Sequence, residues 1–231
     1  LDFTKLKFAE GGGMAVLKDT AEKWKKITGT NIIQGYGLTE TSPVLAINII
    51  TDEFNGFIGL PMPSTEISVR DENEKELQIG KEGELCVKGP QVMKEYWNSK
   101  EETENVFTKD GYFKTGDIAK INGDGFIKIV DRKKDMIISS GFNVYPGEIE
   151  DYVTRHPDIL EAGVIGIADK NRGESIKLFI VTSNPNLEKG EVIAFCKKGL
   201  TIYKIPKYVE FIKELPKNNV GKILRRKLRE I

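Results

Sequence analysis

Histidine is nearly absent from these 231 residues, and the lone His156 leaves no Ser–His–acid arrangement to build. It stands at a helix end before Pro157, where a cation suits the helix dipole, and reads as structural. Cysteine is almost as scarce. Cys86 and Cys196 are far apart and form no CxxC pair, which argues against a zinc site or a redox couple and for a reduced, cytoplasmic protein. Net charge is also missing: 35 basic residues balance 35 acidic ones, so the chain as a whole is no polyanion binder. No apolar run is long enough to span a bilayer, and no signal peptide opens the chain. The first residue is Leu1 rather than Met, and strand-like Leu6-Lys7-Phe8-Ala9 follows closely, which reads as a truncated or processed chain.

What is present suffices for a real core: 39 % of residues are apolar, enough for one large domain or two modest ones. After Gly11-Gly12-Gly13, the residues Met14, Leu17, Ala21, Trp24 and Ile27 recur at three- and four-residue steps. That spacing predicts an amphipathic helix with Trp24 in the core and Gly29 as its C-terminal cap. Asn31-Ile32-Ile33-Gln34 then reads as a short strand ending in a Gly35-Tyr36-Gly37 loop. The opening unit is therefore α/β, with glycine loops gathered at strand ends where ligands bind. From about 56 to 128 the pattern alternates: Ile67-Ser68-Val69 and Leu85-Cys86-Val87 read as strands, and Asn122-Gly123-Asp124-Gly125 as a hairpin turn. This stretch predicts a mainly antiparallel β subdomain.

The run Asp131-Arg132-Lys133-Lys134-Asp135 holds no apolar residue and marks a boundary, giving domains 1–131 and 132–231. Beyond it come a strand at Met136-Ile137-Ile138, a helix opened by Pro146, two strands, a helix from Glu191 and a strand from Tyr208. That is a small α+β domain.

Four loops are candidates for chemistry, and each has a plainer reading. Gly11-Gly12-Gly13 would let backbone approach a planar or phosphorylated ligand, or is simply a tight turn. In Gln34-Gly35-Tyr36-Gly37-Leu38-Thr39-Glu40-Thr41 a tyrosine ring, a hydroxyl and a carboxylate are presented together. A base could stack on Tyr36, Thr39 could bond a phosphate oxygen and Glu40 could hold Mg²⁺; a surface turn with a satisfied polar cluster explains the same residues. Thr115-Gly116-Asp117 offers an acid for a ribose diol, although a plain turn is the commoner meaning. Pro216-Lys217-Asn218-Asn219-Val220-Gly221-Lys222 places an ammonium after a flexible, turn-rich loop, where it could neutralise charge on a phosphate. The basic helix that follows, with Arg225, Arg226, Lys227 and Arg229, suits a solvated face or an acidic membrane patch. Without interleaved aromatics or net positive charge, nucleic acid is set aside. Trp97 is a packing aromatic or part of a surface.

Ambiguous singly, these loops resemble one family jointly. Gly35-Tyr36-Gly37-Leu38-Thr39-Glu40-Thr41, Gly83-Glu84-Leu85-Cys86-Val87-Lys88-Gly89, Lys114-Thr115-Gly116-Asp117, the whole of residues 129–150 and residues 216–222 closely resemble the adenylate-forming superfamily of acyl-CoA synthetases, luciferases and peptide-synthetase adenylation domains. Residues 129–150, together with Gly59-Leu60-Pro61-Met62-Pro63-Ser64-Thr65-Glu66, are most similar to the bacterial-type long-chain fatty-acid–CoA ligases. The resemblance implies the end of a large AMP-binding domain with its β subdomain, followed by a small mobile C-terminal domain.

It also implies roles. Gly11, Gly12 and Gly13 would line the adenine pocket with Gln34, Gly35 and Gly37, and Tyr36 would stack on the base. Thr39 would contact phosphate and Glu40 the magnesium. Asp117 would bind the ribose hydroxyls, with Arg132 assisting and Ile129 alongside. Lys222 would bridge the carboxylate and the α-phosphate during adenylation. Lys134 falls at the hinge, and Ser139-Ser140-Gly141 would line the pantetheine tunnel of coenzyme A. The implied activity makes acyl-CoA from fatty acid, ATP and coenzyme A through an acyl-adenylate.

The family's phosphate-binding loop should precede these motifs and is not in the sequence, so the chain is expected to be inactive alone and to need an N-terminal part. Alternatives are a ligase delivering acyl-AMP to a carrier protein, an oxidative luciferase, or a non-catalytic nucleotide-binding module. Contact of the basic tail with the inner membrane face is left open.

Overall fold

The structure is a computed structural model and describes residues 1–16, 18–49, 54–219 and 221–231. Leu17, assigned above to a helix face, and Val220, in the lysine loop, lie outside the described residues. The chain forms two compact units, Leu1–Val130 and Asp131–Ile231.

The first unit opens with β1 (Ala9–Gly11), α1 (Lys18–Thr28) and β2 (Ile32–Gly37). β1 and β2 pair in parallel, with Gly11 opposite Gln34. Leu6, Lys7 and Phe8 lie before the strand, and Gly11 is inside it, so both strand and glycine loop sit further along the chain than the sequence predicts. The helix also differs. Ala21 and Thr28 face inward, Trp24 is half-buried, Ile27 is 70 % exposed, and Met14 lies outside the helix. The physical reason is frame: Ala21 and Thr28 are seven residues apart and share a side, whereas Ile27 points about 100° away from Thr28. Gly29 caps α1 as expected, with φ +73° and its N–H donating to the Lys25 carbonyl at 2.8 Å.

β2 continues antiparallel to β3 (Val44–Ile47), and β3 to β4 (Leu60–Pro61). A second sheet follows in the order of its strands: β5 (Glu66–Arg70), β6 (Gly83–Lys88), β7 (Phe113–Ile121) and β8 (Ile127–Arg132), with α2 (Lys100–Val106) between β6 and β7. The two sheets are joined at an antiparallel bridge, where Ile127 N–H donates to the Gly59 carbonyl and Ile58 N–H donates to the Ile127 carbonyl, both at 2.9 Å. A side chain at Gly59 would lie 1.9 Å from the Ile47 carbonyl, so only glycine permits that approach. Leu45, Leu85, Val87 and Ile127 form the buried centre of this unit.

The second unit holds β9 (Ile137–Ser139), β10 (Phe142–Val144), α3 (Pro146–Val153), β11 (Ile159–Asp169), β12 (Gly173–Thr182), α4 (Lys189–Gly199), β13 (Tyr208–Phe211) and α5 (Arg225–Leu228). Its sheet runs β10-β9-β12-β11, with β13 parallel to β12. Alternation along β11 and β12 sends neighbours to opposite faces. Val164 and Leu178 pack with Ile149 and Val153 of α3 and Val192 and Cys196 of α4, while Ile165 and Phe179 pack with Leu215 and Leu228. Each such side chain, fully buried, contributes roughly 1.5–3 kcal/mol. His156, just beyond α3, accepts the Asp158 N–H on Nδ1 at 3.2 Å and meets the Phe195 ring edge-on.

Candidate functional site

In the first unit the Tyr36 hydroxyl donates to Asp117 Oδ2 at 2.5 Å, joining two candidate residues 81 positions apart. Neither lies on the loop or turn read from the sequence. Tyr36 is inside β2, and Asp117 is inside β7. What brings the acid forward is a bulge. β6 and β7 pair Glu84 with Ile118 and Cys86 with Lys114, so Thr115, Gly116 and Asp117 stand opposite Leu85 alone. Extra residues of this kind bend a strand and re-aim its side chains. Gly116 takes φ +72° within the bulge and donates to Glu84 Oε1 at 3.2 Å; Thr115 donates to the Leu85 carbonyl at 2.8 Å and accepts the Asp117 N–H at 3.1 Å. Asp117 is thus buried and held from several sides.

Gly12 and Gly37 serve close backbone approach, and Gly35 makes room for the Glu10 side chain. A Cβ at Gly12 would lie 3.2 Å from the Gly35 carbonyl, at Gly35 2.2 Å from Glu10 Oε1, and at Gly37 1.6 Å from the Pro43 carbonyl. Gln34 is buried and works within the fold: its Oε1 accepts the Val16 N–H at 2.9 Å and its Nε2 donates to the Phe57 carbonyl at 3.2 Å. It ties the segment after Gly11, Gly12 and Gly13 to β2.

Beyond β2, Thr39–Thr41 forms a single 3₁₀ turn in which Thr39 is exposed. Thr41 is fully buried and bonds the carbonyls of Leu38 and Pro43. Glu40 is held twice, its carbonyl accepting from Met93 N–H at 2.7 Å and its Oε1 from the Tyr96 hydroxyl at 2.7 Å. Tyr96, which holds the candidate Glu40, was not among the residues read from the sequence. Burial and the hydrogen bond to Glu40 push its phenol up to about 12, so it stays a donor. Its backbone N–H is anchored on Thr103 of α2 at 2.9 Å. The only sequence signal was its place beside Trp97, which is 86 % exposed and so belongs to the surface.

In the second unit, Lys133–Asp135 forms another 3₁₀ turn, with Lys134 exposed and Asp135 buried. Asp131 accepts the N–H of Arg132 and that of Gly147, both at 2.7 Å, so its carboxylate caps the start of α3 from outside the helix. Burial nevertheless pushes Asp131 above the usual carboxylate range. Ile129 and Arg132 both lie in β8, Ile129 packing on the first unit's core. Ser140 and Gly141 form the two-residue turn between β9 and β10, with φ +53° and +81°, matching the mirror-image turn a hairpin favours. Ser139 is buried beside it.

The Lys222 segment is not a loose loop. Lys217 pairs with Ile223, Asn218 N–H donates to the Lys222 carbonyl at 3.0 Å, and Lys222 N–H donates to Asn218 Oδ1 at 2.9 Å. The short side chain of Asn218 closes the turn onto the Lys222 backbone, and Gly221 supplies φ +85°. The basic helix is likewise no simple solvated face: Arg225 meets Glu150 at 2.6 Å.

The arrangement in the first unit offers an aromatic ring, a fixed acid beside it and a second fixed acid on the following turn, which suits a base, a ribose and a phosphate-bound cation. Residues 1–97 match the AMP-binding enzyme family, and residues 148–222 match the AMP-binding enzyme C-terminal domain. The chain belongs to this family of adenylate-forming enzymes. It is 52 % identical over all 231 residues to the long-chain-fatty-acid–CoA ligase of Salmonella typhimurium and 44 % identical, over 99 % of its length, to that of Bacillus subtilis. In both cases it spans 41 % of the relative, about two fifths of its length. Among solved structures, ATP-bound MatB from Rhodopseudomonas palustris superposes with a TM-score of 0.90 at 36 % identity, covering 96 % of this chain and 44 % of that one. The o-succinylbenzoate CoA synthetase of Bacillus subtilis, in complex with its acyl-adenylate, gives 0.88 at 34 % identity, covering 98 % and 46 %. Among the described residues no helix is long and apolar enough to cross a membrane.

Proposed function

We propose that this chain supplies the nucleotide-binding end and the C-terminal domain of an ATP-dependent acid–thiol ligase acting on long-chain fatty acids. The observation that carries the reading is the meeting of Tyr36 and Asp117, an aromatic ring and a held carboxylate of the kind a nucleoside needs. Tyr36 stacks on adenine, Asp117 accepts from the ribose hydroxyls, and Arg132 and Ile129 flank the nucleotide. Gly11, Gly12, Gly13, Gln34, Gly35 and Gly37 shape the floor beneath the base.

In the first half-reaction a carboxylate oxygen bonds to the α-phosphorus of ATP, and the bond from that phosphorus to the departing pyrophosphate breaks. Lys222 places its ammonium beside carboxylate and α-phosphate, and Thr39 donates to a phosphate oxygen. Glu40 fits a magnesium site: it is a hard oxygen donor with one oxygen taken by Tyr96, and magnesium is commonly held by one or two carboxylates plus substrate phosphates and water. When bound, magnesium supplies positive charge that offsets the phosphates. In the second half-reaction the sulfur of coenzyme A bonds to the acyl carbon, the carbon–oxygen bond to AMP breaks, and the thiol proton leaves to solvent. Ser139, Ser140 and Gly141 line the path of the pantetheine arm, and Lys134 is the hinge between the two steps.

The setting is the cytoplasm, with the exposed Arg226 and Lys227 available to an acidic inner-membrane face. The test is ATP–pyrophosphate exchange in a ligase whose C-terminal part is this sequence. Exchange that disappears with Lys222→Ala, while acyl transfer from supplied acyl-AMP to coenzyme A persists, supports the reading. Equal loss of both steps removes that role from Lys222. Transfer to a carrier protein but not to coenzyme A would favour the carrier ligase, and nucleotide binding without exchange a non-catalytic module.

A further inference from the structure

We propose that Arg225 is a positioning residue that locks the Lys222 turn to the hinge end of the second unit. This rests on the reading of Lys222 as the adenylation lysine.

Arg225 is the first residue of α5, three positions after Lys222. Its guanidinium is largely buried, with Nη2 2.6 Å from Glu150 Oε2 and Nη1 3.6 Å from Asp135 Oδ2. Asp135 closes the hinge turn that contains Lys134. Arg229, one turn further along, also reaches Asp135, at 3.6 Å. Glu150 is fixed on its other oxygen by the Val164 N–H at 2.8 Å, which anchors the cluster to β11. One side chain thus touches the hinge, α3 and, through Glu150, the central hairpin of the sheet, while its own backbone continues into the lysine turn.

The charges make this contact hard to dispense with. Asp131, Asp135 and Glu150 converge here, and burial pushes both Asp131 and Glu150 above the usual carboxylate range. Burial also opposes the charge on Arg225, but Glu150 and Asp131 outweigh it and hold the guanidinium more firmly protonated than usual. A buried charge kept in place by fixed partners has few alternative positions. The opposite side of the turn is pinned separately, by Lys217 to Glu161 at 2.5 Å and by Leu224 N–H to the Pro216 carbonyl at 2.8 Å. Lys222 therefore rides on a turn braced from both flanks, and a change of backbone at Lys134 reaches it through Asp135 and Arg225.

Two experiments decide the matter. In the complete ligase, the double variant Arg225→Met with Glu150→Gln removes one charge of each sign and so leaves the net charge of the cluster unchanged. The expected result is a fall in kcat for ATP–pyrophosphate exchange of at least about tenfold. KM for ATP and the rate of thioester formation from supplied acyl-AMP stay within about twofold. Unchanged exchange, or an equal fall in both half-reactions, overturns the proposal. Lys222→Ala is run alongside: if it leaves exchange intact, the reading of Lys222 has failed rather than the role of Arg225. In the present chain, Arg225→Lys preserves the charge but not the fork that reaches two acids, and is expected to speed amide exchange at Lys222 and Asn218 about tenfold or more. Protection identical to that of the parent chain overturns the bracing role.

Discussion

The Tyr36 hydroxyl and the Asp117 carboxylate, drawn from different sheets, meet at 2.5 Å, within the range of a charge-assisted bond. Tyr36 therefore carries two separable properties, a ring face and an acid-holding hydroxyl. Tyr36→Phe keeps the face and loses the hydroxyl, so AMP affinity is expected to weaken by about 1 kcal/mol, or roughly fivefold. Tyr36→Ala loses both and is expected to lose about 1–3 kcal/mol more from stacking. Calorimetric titration with AMP, read beside Asp117→Asn, checks this. Equal losses for Phe and Ala would mean that the ring face does not touch the base.

Glu40 and Tyr96 give a second separation. With its phenol pushed up to about 12, Tyr96 remains a hydrogen-bond donor throughout the neutral range. In the complete ligase, Tyr96→Phe should remove the donor that fixes Glu40 Oε1 in place and raise the magnesium concentration needed for half-maximal exchange by about three- to tenfold, the value of one ordinary hydrogen bond. Because no titration of Tyr96 intervenes, the shift should be the same at pH 6.5 and 8.5. An unaltered magnesium requirement removes Tyr96 from the site.

Much of this was legible beforehand, and the exceptions share a cause. Turns declared themselves because they need particular residues: Gly29 ends α1, Asn122 to Gly125 turn β7 into β8, and Pro146 opens α3. Tyr36, Glu40 and Asp117 were named as candidates from local sequence, but the side chains around them were not. Asp117 lies in a strand because β6 supplies a partner from thirty residues upstream, and a bulge depends on that partner's register. The partners of Tyr96 and Arg225 escaped notice because each is distant in sequence, Glu40 at a separation of 56 and Glu150 at 75. Local spacing cannot display such a pair. Ile27 misled for the opposite reason: local periodicity proposed it for the helix's inner face, and the packing chose the adjacent frame.

Cys86 and Cys196 are buried, and burial pushes their thiols up to about 12 and about 11 respectively. Both should stay protonated and inert at neutral pH, since the thiolate is the reactive form. Titration with a thiol reagent at pH 7.5 is expected to show negligible modification of the native chain and both thiols after denaturation. Rapid reaction of one thiol in the native state would place that cysteine in a looser environment.

Gly37 offers the sharpest test of the backbone beneath the candidate base site. It ends β2 where the paired strand approaches across a bulge, Tyr36 lying opposite Ala46 and Gly37 opposite Val44. A methyl group there would lie 1.6 Å from the Pro43 carbonyl oxygen, with the carbonyl carbon at 2.6 Å, and these are backbone atoms with no rotamer to move aside. Gly37→Ala must therefore displace the strand end that carries Tyr36. A loss of about 2–4 kcal/mol in urea denaturation is expected, with AMP binding weakened as well. Gly13 supplies the control. Its φ is +77° and nothing lies within 4 Å of an added Cβ, so Gly13→Ala meets only the left-handed backbone penalty of about 1 kcal/mol. Should the two substitutions prove equally mild, the strands are further apart around Gly37 than this geometry requires.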